Sequence, residues 1–166
     1  MRLDIGCGEH PREGYIGVDM RALAGVEIVC NAWEILKYVP AHSIEAIYSR
    51  HMLEHLTRRQ GEQALKAWRA ALIPGGCLEI LVPDIEFHVR QLNEPGLPSI
   101  FNRGISNIEH AHRGFFGWGR GPWDLHKTAF TEVYLRHQLV IAGFQRIKRV
   151  PDNPWHLHVT AKTVRS

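Results

Sequence analysis

Met1-Arg-Leu-Asp-Ile-Gly-Cys-Gly-Glu-His-Pro-Arg-Glu-Gly-Tyr-Ile-Gly-Val-Asp19 opens the chain. A short apolar strand with Leu3 and Ile5 runs into Gly6-Cys7-Gly8, and a second strand, Tyr15 to Val18, ends on the acid Asp19. Glycine lacks a Cβ, so it adopts positive φ and lets a ligand lie close to the backbone. A carboxylate at the tip of the next strand can accept both hydroxyl protons of a ribose. The stretch predicts a site for an adenosine-containing ligand at the carboxyl ends of parallel strands.

Working outward, strands and helices alternate. Val26 to Cys30 and Glu45 to Ser49 read as the third and fourth strands. A helix is predicted from Thr57 to about Leu72, because Thr57 and Gln60 make a capping box and Ala64, Leu65, Trp68, Ala71 and Leu72 share one face. Pro74-Gly75-Gly76 should stop it. Cys77 to Val82, nearly all apolar, reads as a central strand covered on both faces. Ile85 to Leu92 suits a short helix, and 93–123, rich in Gly, Pro, His and aromatics, an irregular insertion. Thr131 to Ala142 is helical, with Gly143 as its C-terminal cap. Phe144 to Val150 and His156 to Thr163 then pair across Pro151-Asp-Asn-Pro154. The fold class expected is α/β: a doubly wound, mostly parallel sheet with one antiparallel edge strand, in three αβα layers. Residues 1–166 make a single domain, with 93–127 as an insertion that could act as a lid.

Composition sets the outer limits. A chain of 166 residues buries about 70% of its unfolded surface. Twenty Lys+Arg against 17 Asp+Glu leave only +3, and the basic residues are scattered. Nucleic acid is therefore not expected as an obligate partner. No apolar run approaches the ~18 residues of a membrane span, and Met1-Arg2 leads straight into strand residues, so a cytoplasmic protein is expected. Cys7, Cys30 and Cys77 lie in or beside apolar strands and read as small buried hydrophobes of a reducing compartment. His110/His112 and His156/His158 could each aim two imidazoles one way, but neither pair has a Cys or HExxH companion. No metal site is expected.

Ligands of open α/β sheets bind beyond the carboxyl ends of the strands. In this chain those ends carry Gly6-Cys7-Gly8-Glu9, Asp19-Met20, Asn31-Ala32, Arg50-His51-Met-Leu-Glu54-His55 and Pro83-Asp84. Taken in order, Leu3-Asp4-Ile-Gly6-Cys7-Gly8, Gly17-Val-Asp19, Ser49-Arg-His-Met-Leu-Glu54-His55-Leu56 and Leu72-Ile-Pro-Gly-Gly76 resemble a class I S-adenosylmethionine-dependent methyltransferase of the compact, type 11-like kind. The likeness covers residues 1–93 well and continues loosely through Ala142-Gly143-Phe144.

The resemblance implies a Rossmann-like fold and S-adenosyl-L-methionine as cofactor, with S-adenosyl-L-homocysteine as product. It implies that Gly6, Cys7 and Gly8 cradle the methionine moiety while Asp4 reaches its ammonium group. Asp19 would hold the ribose, and Met20 would lie against the adenine. Asn31 and Ala32 stand where the family often has an acid and a small residue near the adenine, so Asn31 is a departure. Ser49 and His51 match positions beside the cofactor. A second departure is spacing. Only eleven residues lead from Gly8 to Asp19, with Pro11 and Gly14 between, too few for a full helix and its return. A pyrophosphate would then miss its helix terminus, which argues against a dinucleotide.

The chain begins at the first strand, so cover for the cradle is expected from 93–127 or from a partner copy in a homodimer. The Phe115-Phe-Gly-Trp118-Gly-Arg-Gly-Pro-Trp123 segment, with glycine hinges and aromatic faces, suits an acceptor wall. Were the acceptor a hydroxyl, a histidine base would help. His51 is the first candidate, His126 the second and Asp84 the third. The reaction class expected is methyl transfer to a small-molecule or saccharide-type acceptor. The stretch Asp124-Leu-His-Lys-Thr-Ala-Phe-Thr131 is similar to enzymes of polysaccharide and cell-surface biosynthesis. The alternative is a non-catalytic binding or scaffold module with the same fold.

Overall fold

The structure, a computed structural model, describes residues 1–94 and 104–164. Seven strands form one sheet: β1 Arg2–Ile5, β2 Ile16–Asp19, β3 Val26–Val29, β4 Ile44–Arg50, β5 Leu72–Pro83, β6 Gln145–Arg149 and β7 His156–Lys162. Their order is β3-β2-β1-β4-β5-β7-β6. The first five are mutually parallel, and β7 runs antiparallel to both β5 and β6. The last strand pair thus supplies the antiparallel edge. The strand order reverses between β1 and β4, and the carboxyl ends of these two strands frame the site.

Register separates the two faces of the sheet. Leu3, Ile47, Leu78 and Ala161 are aligned across β1, β4, β5 and β7, and all are buried. Helices α1 (Arg58–Ala71) and α4 (Glu132–Ile141) and the 3-10 turn Ala32–Lys37 cover this apolar face; Leu65, Trp68, Leu135 and Ile35 join its core. Helix α1 starts at the expected capping box of Thr57 and Gln60. It ends at Ala71, and the chain enters β5 at once with Leu72. Pro74-Gly75-Gly76 is a bulge within β5, not a break before it: the register passes from Ile44↔Leu72 to Ala46↔Cys77, and Gly75 takes φ +78°.

The opposite face is polar. Asp4, Tyr48, Glu79 and Thr160 are aligned there. The links β1–β2 and β2–β3 contain no helix, in keeping with the tight spacing. On this flank the third layer is built from loops. Arg12 lies 4.4 Å from the centroid of the Tyr48 ring and donates to Glu79 at 3.0 Å. Pro11 and the Gly25 carbonyl press on Gly17, where a Cβ would meet that oxygen at 2.5 Å. β5 is central, as expected, but its second face is lined by Cys77 and Glu79 and is only half-buried.

The insertion is more regular than its composition predicts. After α2 (Ile85–Asn93), capped by Asp84, comes a ten-residue helix, α3 (Asn107–Phe116). The Ser106 side chain caps its start by accepting from Glu109 N–H, a Ser-x-x-Glu signal obscured by the surrounding His and Gly residues. Gly114 lets α2 and α3 pack closely, since a Cβ there would lie 2.3 Å from His88. Residues 95–103 of the expected lid lie outside the described residues.

Candidate functional site

The β1 tip turns sharply. Gly6 N–H and Cys7 N–H both donate to the Val18 carbonyl, at 2.7 and 3.2 Å, and Gly6 and Gly8 take φ +80° and +60°. Asp19 ties the loop from the other side: Oδ2 accepts Gly8 N–H at 3.0 Å, and Oδ1 accepts the Arg21 N–H and Nε–H at 3.0 and 3.1 Å. The glycine loop is held by β2 and its acid, not by a following helix. Gly6 leaves no room for a side chain, because a Cβ would sit 2.1 Å from Met52 Cγ. Gly6→Ala should cost about 2–3 kcal/mol, from the left-handed backbone and the displaced Met52. An unfolding free energy from urea melts within about 0.5 kcal/mol of wild type would contradict this.

A cavity of about 630 Å³ opens on the polar face beside this loop, lined by Asp4, Gly6, Cys7, Arg12, Tyr48 and Glu79 and reaching His156 and His158. Its size suits a small organic ligand. Asp4 Oδ2 accepts the Arg12 N–H at 2.8 Å. Burial raises the Asp4 pKa, against the lowering effect of that hydrogen bond and the Arg12 charge. Burial, aided by the charges of Asp4 and Asp19, pushes the Cys7 thiol up to about 11. Cys7 is therefore a neutral wall of the cavity and not a nucleophile.

At the β4 tip, His51 (φ +49°) meets Glu54, which the 3-10 turn Leu53–His55 presents. His51 Nδ1 lies 3.1 Å from Glu54 Oε1, and its Nε2 lies 3.0 Å from His156 Nε2. Burial acts to raise the Glu54 pKa, but the His51 hydrogen bond and the charges of His51, His55 and His126 hold it below its usual value. The ionised carboxylate accepts His51 Nδ1–H, so His51 Nε2 carries the lone pair and receives His156 Nε2–H. His156 Nδ1 is then unprotonated, which agrees with its lack of any hydrogen-bond partner. Burial, with the His51 charge, pushes the His156 pKa down to about 3. His51 is thus held in one tautomer by a carboxylate behind it, the geometry that orients a histidine base.

His126 reaches the same carboxylate from a distant loop. Its Nδ1 bonds the Gly114 carbonyl at 2.8 Å, and its ring stands edge-on to His55 with centroids 4.8 Å apart. The Lys127 and Thr128 N–H groups both donate to the Glu54 carbonyl, at 2.8 and 3.1 Å. Both candidate histidines therefore converge on Glu54.

Other expected site residues are employed differently. Ser49 is buried and donates its hydroxyl to the Ile5 carbonyl at 3.0 Å, clamping β1 to β4. Ala32 is in the core, where its carbonyl accepts Trp68 Nε1–H. Asn31 gives its Nδ2 to Glu34 Oε2 at 2.7 Å. Asp84 caps α2 and pairs with Arg149 at 3.1 Å, a structural role. Met20 is 63% exposed beside Asp19. The expected histidine pairs are split: His110 bonds Gln91 while His112 packs on Phe116, and His156 faces His51 while His158 bonds Glu79. Sequence reading missed Tyr48, Arg12 and Glu79 and weighed His156 only with His158 as a metal ligand; a lone Glu in the otherwise apolar β5 was the available signal.

No family model matches the sequence, and no curated protein matches it. Many solved structures do. A SAM-dependent methyltransferase from Archaeoglobus fulgidus superposes with TM-score 0.65 at 17% identity, over 98% of this chain and 85% of that one. One from Methanosarcina mazei gives 0.65 at 16% identity, over 99% and 92%. The 1,6-didemethyltoxoflavin-N1-methyltransferase of Burkholderia thailandensis, solved with 1,6-didemethyltoxoflavin and S-adenosylhomocysteine, gives 0.60 at 18% identity, over 98% and 70%. The chain has the Rossmann-like fold of the class I S-adenosylmethionine-dependent methyltransferases.

Proposed function

We propose that the chain transfers the methyl group of S-adenosyl-L-methionine to a small-molecule or saccharide-type acceptor and releases S-adenosyl-L-homocysteine. The observation that carries this reading is the Gly6-Cys7-Gly8 loop tied by Gly8 N–H to Asp19, at the point where the strand order reverses. The residues fit the cofactor. Gly8 faces open space, since a Cβ there would meet nothing nearer than Arg21 Nη2 at 3.9 Å. Asp19 Oδ2, which accepts only Gly8 N–H, keeps a further lone pair for a ribose hydroxyl, and a second hydroxyl would take the place of an Arg21 donor on Oδ1. Exposed Met20 offers an apolar face to an adenine. Asp4 supplies the negative charge that an ammonium or sulfonium group requires.

The cofactor supplies an electrophilic methyl group. The protein aligns an acceptor oxygen behind it and excludes water, which is where proximity contributes most. His51 Nε2 would take the acceptor's hydroxyl proton when that oxygen receives the methyl group the cofactor would supply. For this the acceptor hydroxyl displaces His156 from His51, and Glu54 stabilises the imidazolium. Among the described residues no helix is long and apolar enough to cross a membrane.

A second reading, a non-catalytic cofactor-binding or scaffold module, draws support from the third strand tip, where Asn31 is engaged with Glu34 and Ala32 is buried. Calorimetry separates the two. Wild type should bind S-adenosylmethionine and S-adenosylhomocysteine but not NAD, and Asp19→Ala should weaken binding by roughly 1–3 kcal/mol. No binding of either sulfur nucleoside at millimolar concentration would sink the methyl-transfer reading. Binding without turnover on a panel of hydroxyl acceptors would favour the module.

A further inference from the structure

Glu54 is 1% exposed, and its Oε2 has no hydrogen-bond partner while Oε1 faces His51. A buried carboxylate oxygen without a donor is costly. Two half-buried imidazoles stand beside it: one ligand atom from each of Glu54, His55 and His126 lies within 4.8 Å of the others. Both rings are already oriented. His55 Nδ1 lies 3.2 Å from the Leu125 carbonyl and His126 Nδ1 lies 2.8 Å from that of Gly114. A carbonyl only accepts, so each Nδ1 carries the proton and each Nε2 keeps its lone pair. Metal-binding histidines are fixed by carbonyl bonds of this kind.

We propose that Glu54, His55 and His126 form a three-ligand site for a zinc-type divalent transition ion, with one coordination position open. Two imidazoles and one carboxylate suit zinc, whereas magnesium and calcium require mostly oxygen ligands. Ligands about 2.0–2.1 Å from a tetrahedral zinc stand about 3.3 Å apart, so binding draws these atoms inward by on the order of 1.5 Å, within reach of imidazole rotation. The ion satisfies Glu54 Oε2 and staples the loop after α3 to the β4 tip. The expectation that the chain has no metal site weighed His110/His112 and His156/His158; His126 joins Glu54 and His55 only in the fold. The proposal does not rest on the methyl-transfer reading, although the two share Glu54: Oε1 faces His51, and Oε2 is the oxygen without a partner.

The test is zinc uptake by the chelator-treated full chain, measured by competition with a chromophoric chelator, with cobalt substituted as a spectroscopic probe. One zinc per chain with micromolar affinity or better is expected, along with a raised Tm and an intense tetrahedral cobalt band. His126→Ala and Glu54→Gln should each weaken uptake at least tenfold, while His137→Ala on exposed α4 should not change it. Lack of stoichiometric uptake overturns the proposal, as does unchanged uptake in a folded His55→Ala/His126→Ala variant. If the Glu54 variant does not fold, the wild-type cobalt spectrum decides: a weak octahedral band overturns the site.

Discussion

Trp68→Ala is expected to destabilise the protein by about 4 kcal/mol, within the range for emptying a large aromatic site. Trp68 points inward from α1 and has no exposed surface. It fills the space between the sheet and the 3-10 turn Ala32–Lys37, and its Nε1 donates to the Ala32 carbonyl at 2.9 Å. Alanine removes the ring contacts, leaves a void that rigid neighbours only partly close, and strips a buried carbonyl of its donor. The last term adds about 1 kcal/mol. Trp68→Phe isolates it: most apolar volume stays, the N–H goes, and a loss of only about 1–2 kcal/mol is expected. Urea unfolding with an unchanged m-value measures both. A Trp68→Ala loss below 1 kcal/mol would mean that this face is loosely packed. The effect extends to the site, because Ala32 follows the β3 tip that the Trp68 bond anchors.

The elements that sequence reading located best are those whose cause is local. Thr57 and Gln60 satisfy each other's donors within one turn, so the start of α1 could be read from four residues. Gly6, Gly8 and Asp19 could be read because positive φ and a strand-tip acid leave marks at fixed spacing, and the short run between them foretold a link without a helix. The convergence of His51, His126 and His156 on or near Glu54 was illegible. It depends on the β7 crossing beside β5 and on the loop after α3 docking through Lys127 and Thr128. Ser49 and Ala32 illustrate the converse case. Their positions match cofactor-facing sites, yet the Ile5 carbonyl and the Trp68 indole claim them. Position along a motif fixes where a backbone runs; which way a side chain or carbonyl turns is decided by partners remote in sequence.

Acidification from pH 7 to 5 should lower stability by on the order of 3 kcal/mol, chiefly through His156 and His110. Both are buried, and both are neutral for geometric reasons. His156 gives its Nε2–H to His51 and leaves Nδ1 without an acceptor for a second proton. His110 Nδ1 lies 3.1 Å from Gln91 Nε2, an amide nitrogen that can only donate. Burial, with the charge of His51 in one case and His88 and Arg113 in the other, lowers their pKa values to about 3 and about 4. The unfolded chain protonates both near 6.5. Below that pH it binds up to two more protons than the folded chain, so stability falls as pH falls, by at most ~1.4 kcal/mol per pH unit for each histidine. The fall continues until the folded pKa values are reached. Glu54, whose pKa is lowered, acts in the same direction below its unfolded value, while Asp4, raised by burial, acts weakly against it. On the alkaline side Cys7, raised to about 11, makes stability decline once the unfolded thiol ionises above ~8.5. A maximum between pH 7 and 8.5 follows. Urea melts at pH 7, 6 and 5 measure the slope, and His156→Gln should remove about one proton's share of it. A flat profile across that interval would show that the two imidazoles are protonated in the fold, and the His51–His156 arrangement would then be wrong.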